Sequence, residues 1–557
     1  MAFTKEVYEE LKAVVGARNV SDDIGIRESY RNVAAQSSAH YGPFEHWTPC
    51  PQAVVLPGST EEVQEIARIC NRNGIQFKAS STFYSTMGYI GSDCAIQLDM
   101  RRMRSIEIDS RNQIATVEPY AIAATVQAEA MKHGLNLNIP GVGCSSSPLA
   151  SASGWMGAGP ATIFMGVSGE NLLCAEWVLP DGTLMVTGSA GSGQGWFCGE
   201  GPGPSTRAIV RGHIGTMGAM GVCTKISLRL HPWPGPKVLE TYGDAPAYKT
   251  DLGDNFRCYT CCFPDWASWT KAIVLFQECD VAYLGHRQFN MFGRDLKAAM
   301  IRIVTDPSKQ LCDLETLLAD PEIQKQTADM KIEFQLVIAG MTPRDMEYKE
   351  AAVEEILKRT GGWKNEMMLE KDLHDWAMLY LIRLGHKNLN YAMCGAYEGA
   401  LGLSGNVHVA TPLMEEASAL KRKWEQETNY IVASGGDSEM GGFSITGGGG
   451  PLAWEFFTNF DAYDKESVRG TCAFIDDTQR WQTAHGLGPD FGRTNSGARR
   501  SDGYDYSQEE QDAMNIRMPQ PWTMAYQYKI RETFDPNHLG GSYYRTLTPE
   551  KITGEQK

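Results

Sequence analysis

Between Ser59 and Gly74 the apolar positions Val63, Ile66, Ala67 and Cys70 recur at three- and four-residue intervals, which places them on one face of a helix. Ser59 followed three places later by Glu62 has the form of a capping box, and Gly74 supplies the stop. Short apolar runs flank this helix at 53–56 and 75–78, so the stretch reads as strand, helix, strand. Further strands are expected over 95–98, 105–108, 114–117 and 225–230, with a helix over 121–133 closed by Gly134. The opening MAFTKEVYEELKAVVG reads as an amphipathic helix.

The pattern changes over residues 147–188. Ser151, Ala152, Ser153, Gly154, Gly157 and Gly159 form a run of small residues that leaves room for another molecule to approach the main chain, although an ordinary loop has the same composition. An apolar strand over 175–179, the turn Pro180-Asp181-Gly182 and a second strand over 183–186 then make a hairpin, because Asp-Gly suits positive backbone angles. The proline-rich His231-Pro232-Trp233-Pro234-Gly235-Pro236 marks a boundary. Beyond it the character differs, with amphipathic helices over 345–359 and 413–427 between strands such as 331–339.

Composition narrows the classes. A chain of 557 residues is long for one core, so two domains are expected. A net charge of -16 argues against nucleic acid or an anionic membrane as partner, and leaves solubility or a docking face for a basic redox partner. No apolar run is long enough to span a bilayer and the first residues have no apolar signal core, so a soluble, cytoplasmic protein is expected. The 14 cysteines lack paired metal-type spacing, and even Cys258, Cys261 and Cys262 have no second cluster; reduced, buried thiols and no structural zinc are expected.

The segments VVLPGSTEEVQEIARICNRNGIQFKASSTFYSTMGYIG (54–91), the small-residue run with its hairpin, and GTMGAMGVCTKISLRLHP (215–232) resemble, in this order and at these spacings, the FAD-binding domain of the vanillyl-alcohol oxidase / p-cresol methylhydroxylase flavoprotein family. The resemblance extends to the middle of the chain and to Phe534-Asp535-Pro536-Asn537. It implies an α+β protein with a PCMH-type FAD-binding domain over 1–236 and a cap domain over 237–490, an antiparallel sheet flanked by helices that roofs the flavin ring. Residues 491–557 would return to complete the first domain. It also implies FAD as cofactor and association as a homodimer.

In that family the loop after the second strand wraps the FAD pyrophosphate. Here its usual glycines are replaced by Ser80, Ser81, Thr82, Ser85 and Thr86, with Phe83 and Tyr84 between them and Gly88 and Gly91 kept. Hydroxyls can donate where glycine amides otherwise would. Ser153, Gly154 and Gly157 from the small-residue run, and the Gly221-Val222 step at the adenosine half, complete the cofactor contacts that the resemblance implies.

For substrate, the family members that oxidise para-alkylphenols hold a phenolate with two tyrosines and an arginine. The ionised phenol lets hydride leave the benzylic carbon and gives a quinone methide, so positive charge and O–H donors at the phenol oxygen are catalytic. Tyr89 matches the first tyrosine and Arg493 the arginine; the second tyrosine is Gly492 here, with Phe491 before it. Vanillyl-alcohol oxidase has an aspartate near flavin N5 where this chain has Val167; Asp490 is a candidate substitute. His408, in Gly405-Asn406-Val407-His408-Val409-Ala410-Thr411-Pro412, lies within one residue of the family's flavin-linking position on a strand, and Cys144 lies near the place where some relatives use a cysteine. A one-residue slip on a strand turns a side chain to the other face.

The reading is an FAD-dependent oxidoreductase that abstracts hydride from a small, para-hydroxylated aromatic alcohol or alkylphenol, with oxygen, a c-type cytochrome or another carrier as electron acceptor. The alternatives are a hydroxy-acid dehydrogenase of the same superfamily and a flavin-binding subunit without its own turnover, the latter suggested by the altered pyrophosphate loop.

Overall fold

The structure is a computed structural model that describes residues 3–31, 50–83, 88, 90, 94–140, 143–154, 157–200, 206–211, 220–244, 247–287, 295–383, 396–402, 405–427, 441–443, 451–460, 474, 477, 481, 484–485 and 529–540. Its first sheet has four strands in the order Val20–Ser21, Val54–Val55, Ala95–Asp99, Gln76–Ser80, the last three parallel. Parallel neighbours need a crossover, and helix Thr60–Asn73 supplies it. Ser59 caps that helix by accepting from the Glu62 amide at 3.2 Å, and Gly74 ends it at φ 62°. Val63, Ile66, Ala67 and Cys70 are buried against Val55, Phe77, Ile96 and Leu98, together with Val7, Leu11 and Val15 of helix Lys5–Val15. Each large apolar side chain so buried contributes about 1.5–3 kcal/mol.

The chain closes on the outer edge of this sheet from far along the sequence. The Phe77 amide donates to the Leu539 carbonyl at 3.1 Å, and Phe77 and Gly540 form a parallel bridge. Buried Asp535 shapes that return by accepting from the amides of Leu539 and Gly540 at 2.8 and 2.9 Å.

The second sheet is antiparallel, in the order Ile106–Asp109, Ile114–Val117, Val222–Arg229, Leu172–Val178, Leu184–Val186. The hairpin expected over 175–186 is its Val178↔Leu184 edge, turned at Gly182 with φ 84°. Helix Thr60–Asn73 reaches across to it: Thr60 Oγ1 donates to Glu176 at 2.6 Å and the Gln64 amide to the Gly182 carbonyl at 3.0 Å.

A third sheet, also antiparallel, runs Leu284–His286, Glu333–Ala339, Phe256–Cys262, Trp363–Lys364. Helices Trp266–Glu278 and Pro343–Thr360 bury one of its faces; Lys297–Thr305, Pro321–Asp329 and Lys371–Arg383 bury the other. Cys258 and Cys262 belong to the second of these cores and Cys261 to the first, so the three thiols do not converge on one point. Strand Pro451–Phe460 pairs with Ala396–Gly402, Gly405–Asn406 and Gly441–Phe443 in a fourth sheet. Among the described residues no helix is long and apolar enough to cross a membrane.

The proline-rich step at 231–236 is not a free linker. Trp233 is buried 5.0 Å from the Phe256 ring in the core of the third sheet. Tyr283 fastens the same junction, donating to the Pro232 carbonyl at 3.0 Å and accepting from Asn136 at 3.1 Å. Arg383 adds a second tie, to the Ala124 carbonyl and Gln127 at 3.0 and 2.8 Å, and the Gly285 amide a third, to the Pro160 carbonyl at 2.8 Å.

Candidate functional site

Period-two alternation divides the first sheet into an apolar and a polar face. Phe77, Ile96 and Leu98 pack under the helix, so Lys78, Ser80, Gln97 and Asp99 point the other way, and register pairs Lys78 with Gln97 and Ser80 with Asp99. All four are buried. A buried polar face needs partners, and the turn after Ser80 supplies several. Gln97 donates to the carbonyls of Lys78 and Gly88 at 3.0 and 3.1 Å. Ser80 packs so close to Gly88 that a Cβ there would lie 2.5 Å from its hydroxyl. Asp99 accepts from Tyr30 and from the Arg101 guanidinium, both at 2.7 Å. Burial, with the Asp99 bond second, raises the Tyr30 hydroxyl above the ordinary phenol range. The Tyr30 ring meets Phe83 edge-on at 5.2 Å, and Phe83 is held at φ 52°, which bulky residues rarely adopt.

The small-residue run is built differently from the expectation. Its first part is not an open loop but the helix Pro148–Gly154, begun by Ser147 Oγ accepting from the Ala150 amide at 3.2 Å. Ser153 is buried in it and donates back to the Leu149 carbonyl at 2.8 Å. Gly157 and Gly159 admit this chain rather than another molecule: Cβ atoms there would lie 2.5 Å from the Ser168 side chain and 1.9 Å from the Ile139 carbonyl oxygen. Gly154 is the exception: among the described residues nothing lies within 4 Å of its Cβ position. Gly221, at φ 87°, lets its strand pass the Val178 carbonyl oxygen, 2.1 Å from where a Cβ would be, and Val222 is buried in the core of the first sheet.

Asn138 repeats the arrangement of Gln97. It donates to the Gly157 carbonyl at 2.9 Å, and in both residues the buried side-chain carbonyl oxygen accepts no hydrogen bond among the described residues. Such an oxygen calls for a donor. FAD carries donors in its ribityl hydroxyls, its ring N3–H and its adenine amino group, and the hydroxyl-lined turn at 80–82 offers donors to its diphosphate. The residues therefore fit this cofactor. Ser80, Ser81, Gln97 and Gly154 were within reach of motif reading only in part: Gln97 sits in a strand whose five residues are all buried, so no alternation marks it.

His408 corrects an expectation. It is not on a strand; the pairing strand ends at Asn406 and residues Val407–Ala410 form a helical turn. Val407 and Ala410 face the core, while His408 is exposed. The turn is fastened by Thr411 Oγ1, which bonds the Val407 carbonyl and meets Thr270 Oγ1 at 2.8 Å. Cys144 is half-buried beside Ala123, Ile139 and Tyr380, and burial raises its thiol above the ordinary range. Val167 is buried, its amide donating to Glu170 at 3.0 Å. Tyr84, Ser85, Thr86, Tyr89, Gly91, Asp490, Phe491, Gly492 and Arg493 lie outside the described residues.

Half-buried His231 stands where the first domain meets the third sheet. Its Nε2 lies 2.8 Å from Asn171 Oδ1, and burial, helped by Arg229, lowers its pKa to about 4. Arg287 and Glu333, both fully buried, approach to 3.9 Å on the edge of that sheet.

Residues 51–188 match the FAD binding domain family. Across 242 residues the chain is 26% identical to the probable mitochondrial D-lactate dehydrogenase of Danio rerio, covering 42% of this chain and 44% of that protein. The chain thus spans less than half the length of that curated relative. In fold it is similar to p-cresol methylhydroxylase with substrate bound, at a TM-score of 0.68 and 16% identity over 97% of this chain and 98% of that one. It is similar also to 4-ethylphenol oxidase from Gulosibacter chungangensis, at a TM-score of 0.66 and 15% identity over 98% of each. With a parallel sheet and an antiparallel sheet sharing an apolar core and a helix-flanked sheet beyond them, the chain carries an FAD binding domain over residues 51–188 and has the fold of p-cresol methylhydroxylase and 4-ethylphenol oxidase.

Proposed function

We propose that this protein is an FAD-linked oxidoreductase that takes hydride from a small, para-hydroxylated aromatic alcohol or alkylphenol. The observation that carries the reading is the tie between the Gly285 amide and the Pro160 carbonyl, which brings the edge of the third sheet against the segment 157–168 of the first domain. FAD, when bound, supplies the two-electron acceptor. The chain's part is to bind the phenol, to ionise it and to keep water from the reacting carbon. Arg493 would hold the phenolate by charge and Tyr89 by an O–H bond, lowering the cost of ionisation. The two phenol-oxidising proteins of similar fold support this substrate class.

A second reading, oxidation of a small hydroxy acid, is favoured by the D-lactate dehydrogenase relative. It needs a cation free to meet the substrate carboxylate. Among the described residues Arg287, which follows the Gly285 tie in sequence, already faces Glu333, which favours the phenol. The electron acceptor, a c-type cytochrome, oxygen or another carrier, and a homodimeric assembly belong to the same proposal.

Anaerobic mixing of the purified flavoprotein with 4-alkylphenols, D-lactate and glycolate separates these readings. Bleaching of the flavin band by the phenols is expected; bleaching by the hydroxy acids alone would transfer the assignment, and bleaching by none would leave a flavin-binding subunit. In R493M, affinity for phenolic ligands should fall by roughly tenfold or more with FAD retained.

A further inference from the structure

Between helix Thr162–Met165 and strand Leu172–Val178 the chain runs Gly166-Val167-Ser168-Gly169-Glu170-Asn171. Two of these side chains turn back to hold the main chain they follow. Glu170 accepts from the Val167 amide at 3.0 Å, and Asn171 Nδ2 donates to the carbonyls of Met165 and Val167 at 2.9 and 3.1 Å. Gly166 lies between them at φ 75°, where a Cβ would run into the Glu170 carboxylate. With both amide hydrogens of Asn171 placed on carbonyls its orientation is fixed, so it is Oδ1 that lies 2.8 Å from His231 Nε2. That oxygen accepts only if the ring proton stands on Nε2. Burial, and after it Arg229, lowers the pKa of this ring, and the neutral Nε2–H form is the one that meets Asn171.

The segment held in this way is also the one on which the third sheet is seated. Pro160 accepts from the Gly285 amide at the edge of that sheet. Ile163 enters the core on one face of the sheet, and Ala161 and Met165 enter the core on the other. The Phe164 ring lies 6.0 Å from His231 and 5.3 Å from Tyr283. A shift at 165–167 would therefore move the sheet relative to the domain that residues 51–188 match. We propose that Asn171 and His231 are positioning residues: Asn171, aimed by His231, fixes the main chain at 165–167 and so holds the third sheet at the separation from the FAD binding domain that a substrate between the two requires. The inference rests on the oxidoreductase reading. Misplacement by about 1 Å costs on the order of a hundredfold in rate when it reaches the reacting groups.

The test is anaerobic reduction of the purified full-length flavoprotein by 4-ethylphenol, D-lactate and glycolate, in wild type, H231Q, H231L and N171L, with the thermal midpoint and the visible circular dichroism of bound FAD recorded for each. H231L and N171L should be reduced roughly tenfold or more slowly with FAD still bound. H231Q, whose amide still donates to Asn171, should stay within about threefold of wild type. Wild-type rates in the leucine variants overturn the proposal even if their midpoints fall, and so does H231Q as slow as H231L. Loss of FAD from either leucine variant would make these cofactor contacts instead and also overturns it. If no substrate reduces wild type, the oxidoreductase reading fails and the dichroism alone decides: a spectrum altered in the leucine variants and restored in H231Q supports the clamp, and identical spectra overturn it. Should the leucine variants not fold, N171S, too short to reach either carbonyl, takes their place with the same expectations.

Discussion

The side-chain amide of Gln97 holds the carbonyl oxygen of Gly88 at 3.1 Å, so one residue of a central strand ties Gly88 to the sheet beside the turn at 81–82. In Q97L the Gly88 and Lys78 carbonyls lose that donor. Stability should fall by about 1–3 kcal/mol in chemical denaturation, and FAD should dissociate faster than from wild type. An unchanged off-rate would mean that the turn does not depend on the strand.

Two glycines answer differently to the same substitution. At Gly221, with φ 87° and a Cβ position 2.1 Å from the Val178 carbonyl oxygen, G221A should lose about 2 kcal/mol or more of stability. Gly154 lies in a helix with open space at its Cβ position, so G154A should leave the apoprotein as stable or up to about 1 kcal/mol more so. If that space is where FAD lies, G154A will nevertheless bind it more weakly. Paired thermal melts and FAD titrations check both.

Asp99 joins the Tyr30 hydroxyl to the Arg101 guanidinium. D99N keeps the shape and removes the charge, which should cost about 2 kcal/mol, whereas Y30F should cost nearer 1 kcal/mol and loosen Phe83, whose ring Tyr30 meets. Denaturation curves give both costs, and fluorescence-detected FAD release gives the effect on the turn.

His231 sets a pH dependence. Burial holds its folded pKa near 4, below the 6.5 of the free imidazole. As pH falls the unfolded chain therefore binds the proton first, and stability is lost from about pH 6.5 down to about pH 4. Over that window wild type should lose on the order of 3 kcal/mol relative to H231Q. Parallel pH curves for the two would show no such difference if the ring is charged when folded.

Local chemistry was legible where one residue type has one job. Ser59 and Gly74 delimit the first crossover helix as their cap roles require, and Asp181-Gly182 turns the hairpin. Helices Pro343–Thr360 and Met414–Glu427 begin and end within two residues of their apolar periodicity. Residues 147–154 were misread because serine, alanine and glycine favour no element strongly, and the helix there comes from packing in the second sheet's core, to which Leu149 and Ala152 belong. At His408 the resemblance implied a strand, but Val407–Ala410 form a helical turn that runs on into Thr411–Leu413. The polar face at Lys78 and Gln97 stayed hidden because a strand buried on both sides has no polar period to read; only pairing in three dimensions aligns the two.

The bridge from Phe77 to Gly540 has a consequence for biogenesis. Gln76 donates to the carbonyl of His538, 462 residues further along, so during synthesis the strand Gln76–Ser80 waits with one hydrogen-bonding edge bare until the segment 538–540 has been made. That nascent edge is a template for stray pairing with other chains, and a ribosome stalled before residue 535 would release a polypeptide whose first sheet is open along one side.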